Sequence, residues 1–140
     1  MIKVLLSSHA HMASGMKSSL ALFLSDMPAL EVFDAYTDED QRSVKDVVDT
    51  FLEKNAECEL KLLVSDMFGG SVCNTMTPYS ERSDVLVITG VNLSFMLDLM
   101  LSVDQGLSKE EIVQKLNNAR EAMKVVEITE FAAEPADDFF

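Results

Sequence analysis

The stretch Glu59-Leu60-Lys61-Leu62-Leu63-Val64-Ser65 runs straight into Asp66-Met67-Phe68-Gly69-Gly70, and from Ser71 to Tyr79 the apolar residues return at helical spacing. A short apolar run, closed by a glycine turn and followed by a helix, is one unit of a parallel sheet, whose strands are covered on both faces and lack a polar side. The same unit recurs on either side of it. Upstream, Ile2-Lys3-Val4-Leu5-Leu6 is a first strand that leads through Ser7-Ser8-His9-Ala10-His11 into a helix from Met12, with Met16, Leu20, Phe23, Leu24 and Met27 on one stripe and Pro28 as its stop. Glu31 to Tyr36 is a second strand, and Val44, Val47, Val48, Phe51 and Leu52 mark the inner face of a second helix. Downstream, Asp84 to Thr89 is a fourth strand, and Gly90 leads into a helix from about Asn92 to Val103 that is apolar on nearly every side. Ser108 and Glu111 form a capping box that opens a last helix with Ile112, Leu116, Ala119 and Met123 inward, and Val125 to Thr129 reads as a final strand.

Strands alternating with helices predict an α/β fold, a doubly wound three-layer α/β/α sandwich around a mainly parallel sheet of order 2-1-3-4, with an extra edge strand at the C-terminal end. A chain of 140 residues with 48% hydrophobic content suits one domain, here residues 1–130, followed by an acidic tail over 131–140 that is expected to be loosely held. In the 2-1-3-4 order the chain reverses its direction of travel between the first and third strands. A crevice opens beyond their carboxyl ends, and chemistry is expected there.

The 24 acidic residues outnumber the 11 basic ones, and a net charge of -13 repels nucleic acid and anionic membrane surfaces. A macromolecular partner would present a basic surface. The two cysteines, Cys58 and Cys73, have neither CxxC spacing nor a matching histidine pair, so neither a disulfide framework nor a zinc site is supported; with neither GxGxxG nor GxxxxGK(S/T) present, no cofactor is expected. No secretory signal and no run of roughly 20 apolar residues is present, which predicts a cytoplasmic protein.

Two loops reach the crevice, Ser7 to His11 and Asp66 to Ser71. Their convergence sets an imidazole, His9, beside a carboxylate, Asp66, and both beside two helix N-termini whose free N–H groups attract an anion. Gly69 and Gly70 let the backbone approach a ligand closely, and Ser71 adds a hydroxyl donor. An imidazole must be neutral to attack phosphorus. A carboxylate that takes the hydrogen of one ring nitrogen leaves the lone pair of the other facing the phosphate. That carboxylate also favours the imidazolium cation while a helix N-terminus disfavours it, so the sequence assigns Asp66 an orienting role only. His9 and Asp66 are the candidate catalytic pair, Ser8, Gly69, Gly70 and Ser71 the candidate phosphate-binding residues, and His11 a rim or structural residue.

Three stretches, SSHAHMASG at 7–15, SDMFGGSVCN at 65–74 and ITGVN at 88–92, together resemble the IIA component of mannose-type sugar phosphotransferase systems. The resemblance covers nearly the whole chain in element order. It implies that His9 is phosphorylated, that Asp66 orients it and that the loop through Ser71 helps bind the phosphoryl group. It further implies HPr as phosphoryl donor, a IIB component as acceptor feeding a membrane permease, and a homodimer that exchanges or shares an edge strand. Two departures stand out. Ala10 occupies a usual glycine position, which matters only if positive φ is needed there, and Val72 replaces a usual proline at the start of a helix. A dihydroxyacetone-kinase-type phosphocarrier and a non-catalytic anion-sensing domain are the alternatives. A receiver domain would need an acidic pair after the first strand to hold magnesium, where this chain has Ser8 and His9.

Overall fold

In the computed structural model, which describes residues 1–129, the chain alternates strand and helix throughout. The elements are β1 (Ile2–His9), α1 (Met12–Leu20), β2 (Leu30–Ala35), α2 (Val44–Lys54), β3 (Leu60–Ser65), α3 (Ser71–Met76), β4 (Val85–Thr89), α4 (Leu93–Ser102) and α5 (Lys109–Glu121). Short 3-10 turns follow α3 at Thr77–Glu81 and α4 at Val103–Gln105. All strand pairs are parallel and the order is β2-β1-β3-β4, as expected.

Strand parity divides the core. Val4 and Leu6 of β1 with Leu62 and Val64 of β3 face α1, α4 and α5, where Leu20, Phe95, Met96 and Ile112 complete one cluster. Leu5 and Leu63 face the other way, against Val47, Val48 and Phe51 of α2 and Val72 and Met76 of α3. Lys61 shares this inner environment, and its ammonium is satisfied by Asp84 and the Cys58 carbonyl. Helices on both faces of one parallel sheet make the three layers.

Several boundaries differ from the sequence reading. β1 continues through Ser7, Ser8 and His9, which pair in register with Phe33, Asp34 and Ala35 of β2. Polar side chains do not interrupt a ladder that backbone groups alone build. α1 ends at Leu20, well before Pro28, and Ala21 to Phe23 continue only as a turn. α3 gives way after Met76 to the 3-10 turn containing Pro78, whose ring and missing N–H suit the first turn of a new segment better than a helix interior. Met123, expected on the inner stripe of the last helix, lies beyond α5 and is 84% exposed, while Ile112 and Ala119 of that stripe are buried. Among the described residues the sheet has four strands, and Val125 to Thr129 pairs with none of them, leaving Val125 and Ile128 exposed. The predicted acidic tail, residues 131–140, lies wholly outside the described residues.

Candidate active site

Parity positions His9. It follows Leu5 and Ser7 on the face covered by α2 and α3, at the carboxyl end of β1, with β3 alongside. Asp66 is the first residue after β3. Its Oδ2 accepts hydrogen bonds from the His9 backbone N–H at 2.9 Å and from Nδ1 of the imidazole at 2.8 Å, while Oδ1 accepts from the Met67 N–H at 3.1 Å. The Asp66 side chain is 9% exposed and that of His9 40%. Burial by itself would push the Asp66 pKa up, but the hydrogen bonds from the His9 backbone and ring outweigh it, and the carboxyl lies below its ordinary value. An ionised carboxylate only accepts, so Nδ1 carries a ring hydrogen, and in the neutral imidazole the lone pair is then on Nε2.

Nε2 faces the Asp66–Ser71 loop, with Ser71 Oγ 3.2 Å away. The two glycines of this loop are needed for different reasons. Gly69 has φ +79°, a conformation that favours glycine, whereas a Cβ on Gly70 would come within 3.1 Å of His9 Cε1 and 2.9 Å of Met67 Cγ. The Asn74 amide donates to the Gly69 carbonyl at 3.1 Å and steadies the turn. Gly70 is also the N-cap of α3 and supplies no side-chain cap, so the start of that helix is open toward the imidazole.

Ser8 is a correction. One residue out of phase with His9, it is fully buried on the opposite face of the sheet. Its hydroxyl donates to the Ala10 carbonyl at 3.0 Å and accepts from the Ala13 N–H at 2.7 Å, so it caps α1 on the face away from the imidazole. Asp34, at the end of β2, accepts from the Ser14 N–H at 2.9 Å, from Ser14 Oγ at 2.6 Å and from His11 Nδ1 at 3.0 Å. The N-terminus of α1 is thereby satisfied internally. Of the two helix N-termini expected at the crevice, α3 alone lacks a side-chain cap. His11 sits on the rim, where hydrogen bonding to Asp34 and the charge of Glu39 raise its pKa.

Sequence reasoning missed Tyr36. Its hydroxyl lies 2.6 Å from Ser71 Oγ, and its ring centroid 5.4 Å from that of His9 with the planes tilted by 40°. The signal for it was present in the strand order, because β2 next to β1 sets the residue after Ala35 beside the end of His9's strand. ITGVN has a structural role instead. Gly90 turns at φ +74°, and Asn92 caps α4 by accepting from the Phe95 N–H at 2.8 Å while donating to the Ala119 carbonyl at 3.0 Å. Among the described residues no group of three or more His, Cys, Asp or Glu side chains is placed to hold a metal ion.

Residues 3–127 match the family described as PTS system fructose IIA component. The chain belongs to this family. As a IIA component of a sugar phosphotransferase system, it shares its fold with solved structures at low sequence identity. A Klebsiella pneumoniae protein assigned to a phosphoenolpyruvate-dependent sugar phosphotransferase system is 24% identical, with a TM-score of 0.81 over 92% of this chain and 93% of that one. The phosphotransferase component EIIA of Streptococcus agalactiae is 23% identical, with a TM-score of 0.74 over 93% and 99%. The mannose/sorbose-specific IIA subunit of Enterococcus faecalis is 18% identical, with a TM-score of 0.73 over 90% and 95%. No curated protein matches the sequence. None of the helices among the described residues is long and apolar enough to cross a membrane.

Proposed function

We propose that this IIA component takes a phosphoryl group from HPr on Nε2 of His9 and passes it to a histidine of a IIB component, feeding uptake of a sugar through a membrane permease. The observation that carries the reading is the hydrogen bond between Nδ1 and Asp66, which assigns the ring hydrogen to one nitrogen and leaves the other free at the crevice. The Nε2 lone pair forms the new N–P bond as the bond from phosphorus to the donor breaks, and the donor keeps that electron pair. No proton needs to move. The Nδ1 hydrogen stays on the ring, and Asp66 stabilises the positive charge that develops as Nε2 is substituted. The hydroxyl and backbone N–H of Ser71 hold the phosphoryl oxygens, while Gly69 and Gly70 keep the loop free of side chains that would block their approach. We place the protein in the cytoplasm as a homodimer, whose contact covers the exposed Val125, Val126 and Ile128.

Incubation with phosphoenolpyruvate, the general phosphotransferase enzyme and HPr should give an acid-labile, base-stable phosphate on the protein, and His9→Ala should abolish it. A variant still labelled to the wild-type extent would remove His9 from the mechanism. Tight binding of inorganic phosphate with no covalent label would instead favour an anion sensor.

A further inference from the structure

The unassigned residue at this site is Tyr36, which lies outside all three stretches that carry the family resemblance. It is 63% exposed, so its ring is not there to fill the core. Its backbone sits at φ 64°, a conformation costly for a bulky residue, and strain of this kind persists where the surroundings over-determine it. Three polar atoms stand in series. Ser71 Oγ is 3.2 Å from His9 Nε2, and the Tyr36 hydroxyl is 2.6 Å from Ser71 Oγ.

Directions in this chain follow from Asp66. With the hydrogen on Nδ1, Nε2 can only accept, so the Ser71 O–H donates to it. Ser71 Oγ then accepts from the Tyr36 O–H, which makes Tyr36 a donor aimed at the place where phosphorus must arrive. When a phosphoryl group bonds to Nε2, Ser71 loses its acceptor, because the lone pair is now in the N–P bond. Both hydroxyls are then beside new, negatively charged oxygens.

On the reading of His9 as the phosphorylated residue, we propose that Tyr36 is a phosphoryl ligand: its hydroxyl, paired with that of Ser71, donates to an oxygen of the group on His9. The tilted ring also covers one side of the imidazole and hinders water from reaching phosphorus. A hydrogen bond to an ionised oxygen is among the strong ones, and its loss is felt directly in the lifetime of the phosphohistidine.

The test uses the isolated phosphoprotein, freed of enzyme and HPr, so that effects on partner docking do not enter. Loss of phosphate is followed by phosphorus NMR. Tyr36→Phe keeps the ring and removes only the hydroxyl, and it should shorten the lifetime about tenfold and move the phosphohistidine resonance. Tyr36→Leu, a second variant that leaves the core equally untouched, should lose phosphate at least as fast. Equal lifetimes and an unmoved resonance in both variants, with the wild type labelled on His9, would overturn the role of Tyr36 while leaving the phosphocarrier reading intact. A wild type that takes no label would overturn both.

Discussion

Ala10 and Tyr36 close β1 and β2 side by side, and both have positive φ, 53° and 64°. For Ala10 the cause is local: its N–H donates to the Ala35 carbonyl at 2.9 Å and its own carbonyl accepts from Ser8 Oγ, so the peptide is clamped on both sides. An alanine in this region carries a steric cost of about 1–2 kcal/mol that glycine avoids, partly offset by the greater freedom of glycine in the unfolded chain. Ala10→Gly should therefore stabilise the protein by about 0.5–1 kcal/mol, seen as a rise of a few degrees in thermal melting. A fall in melting temperature would show that the clamp relieves the strain. The departure at Ala10 thus has an energetic consequence, and the departure at Val72 has none visible, since Val72 is fully buried in α3. His9, Asp66 and Ser71 were legible as residues because each needs only a strand end or a turn to reach the crevice. Ser8 was misread because a strand's parity, once β1 runs through His9, turns alternate residues to opposite faces.

Among the elements, the caps were the most legible part. Ser108 and Glu111 form the capping box read from their spacing, with Ser108 Oγ accepting from the Glu111 N–H and Glu111 accepting from the Ser108 N–H, both at short range in sequence. Asn92 does more than cap α4, because its amide also reaches the Ala119 carbonyl near the end of α5. Asn92→Ala removes both bonds and should cost about 1–2 kcal/mol in denaturant unfolding with an unchanged m value. A loss within error of zero would mean that α4 and α5 are held by Phe95, Met96 and Ile112 alone. The ends of α1 and α3 were less legible, since helical spacing of apolar residues continues into segments that the chain folds as turns.

At the scale of the whole molecule, Val125, Val126 and Ile128 are exposed among the described residues, and β4 and β2 are the two edges of the described sheet. Sedimentation across a wide concentration range should show a dimer, and a monomer independent of concentration would count against the proposed homodimer. The sequence by itself determined the alternation of elements and the two loops of the crevice, because periodicity, turn glycines and capping residues act within a few positions of one another, and the 2-1-3-4 order was expected only from the general rules for such alternation. Only the tertiary structure decided which nitrogen of His9 meets Asp66, that Ser8 is turned away, that α1 is already capped by Asp34, and that Tyr36 lies beside the imidazole. These depend on strand register and on hydrogen bonds between residues as far as 62 positions apart, and no local pattern carries that information.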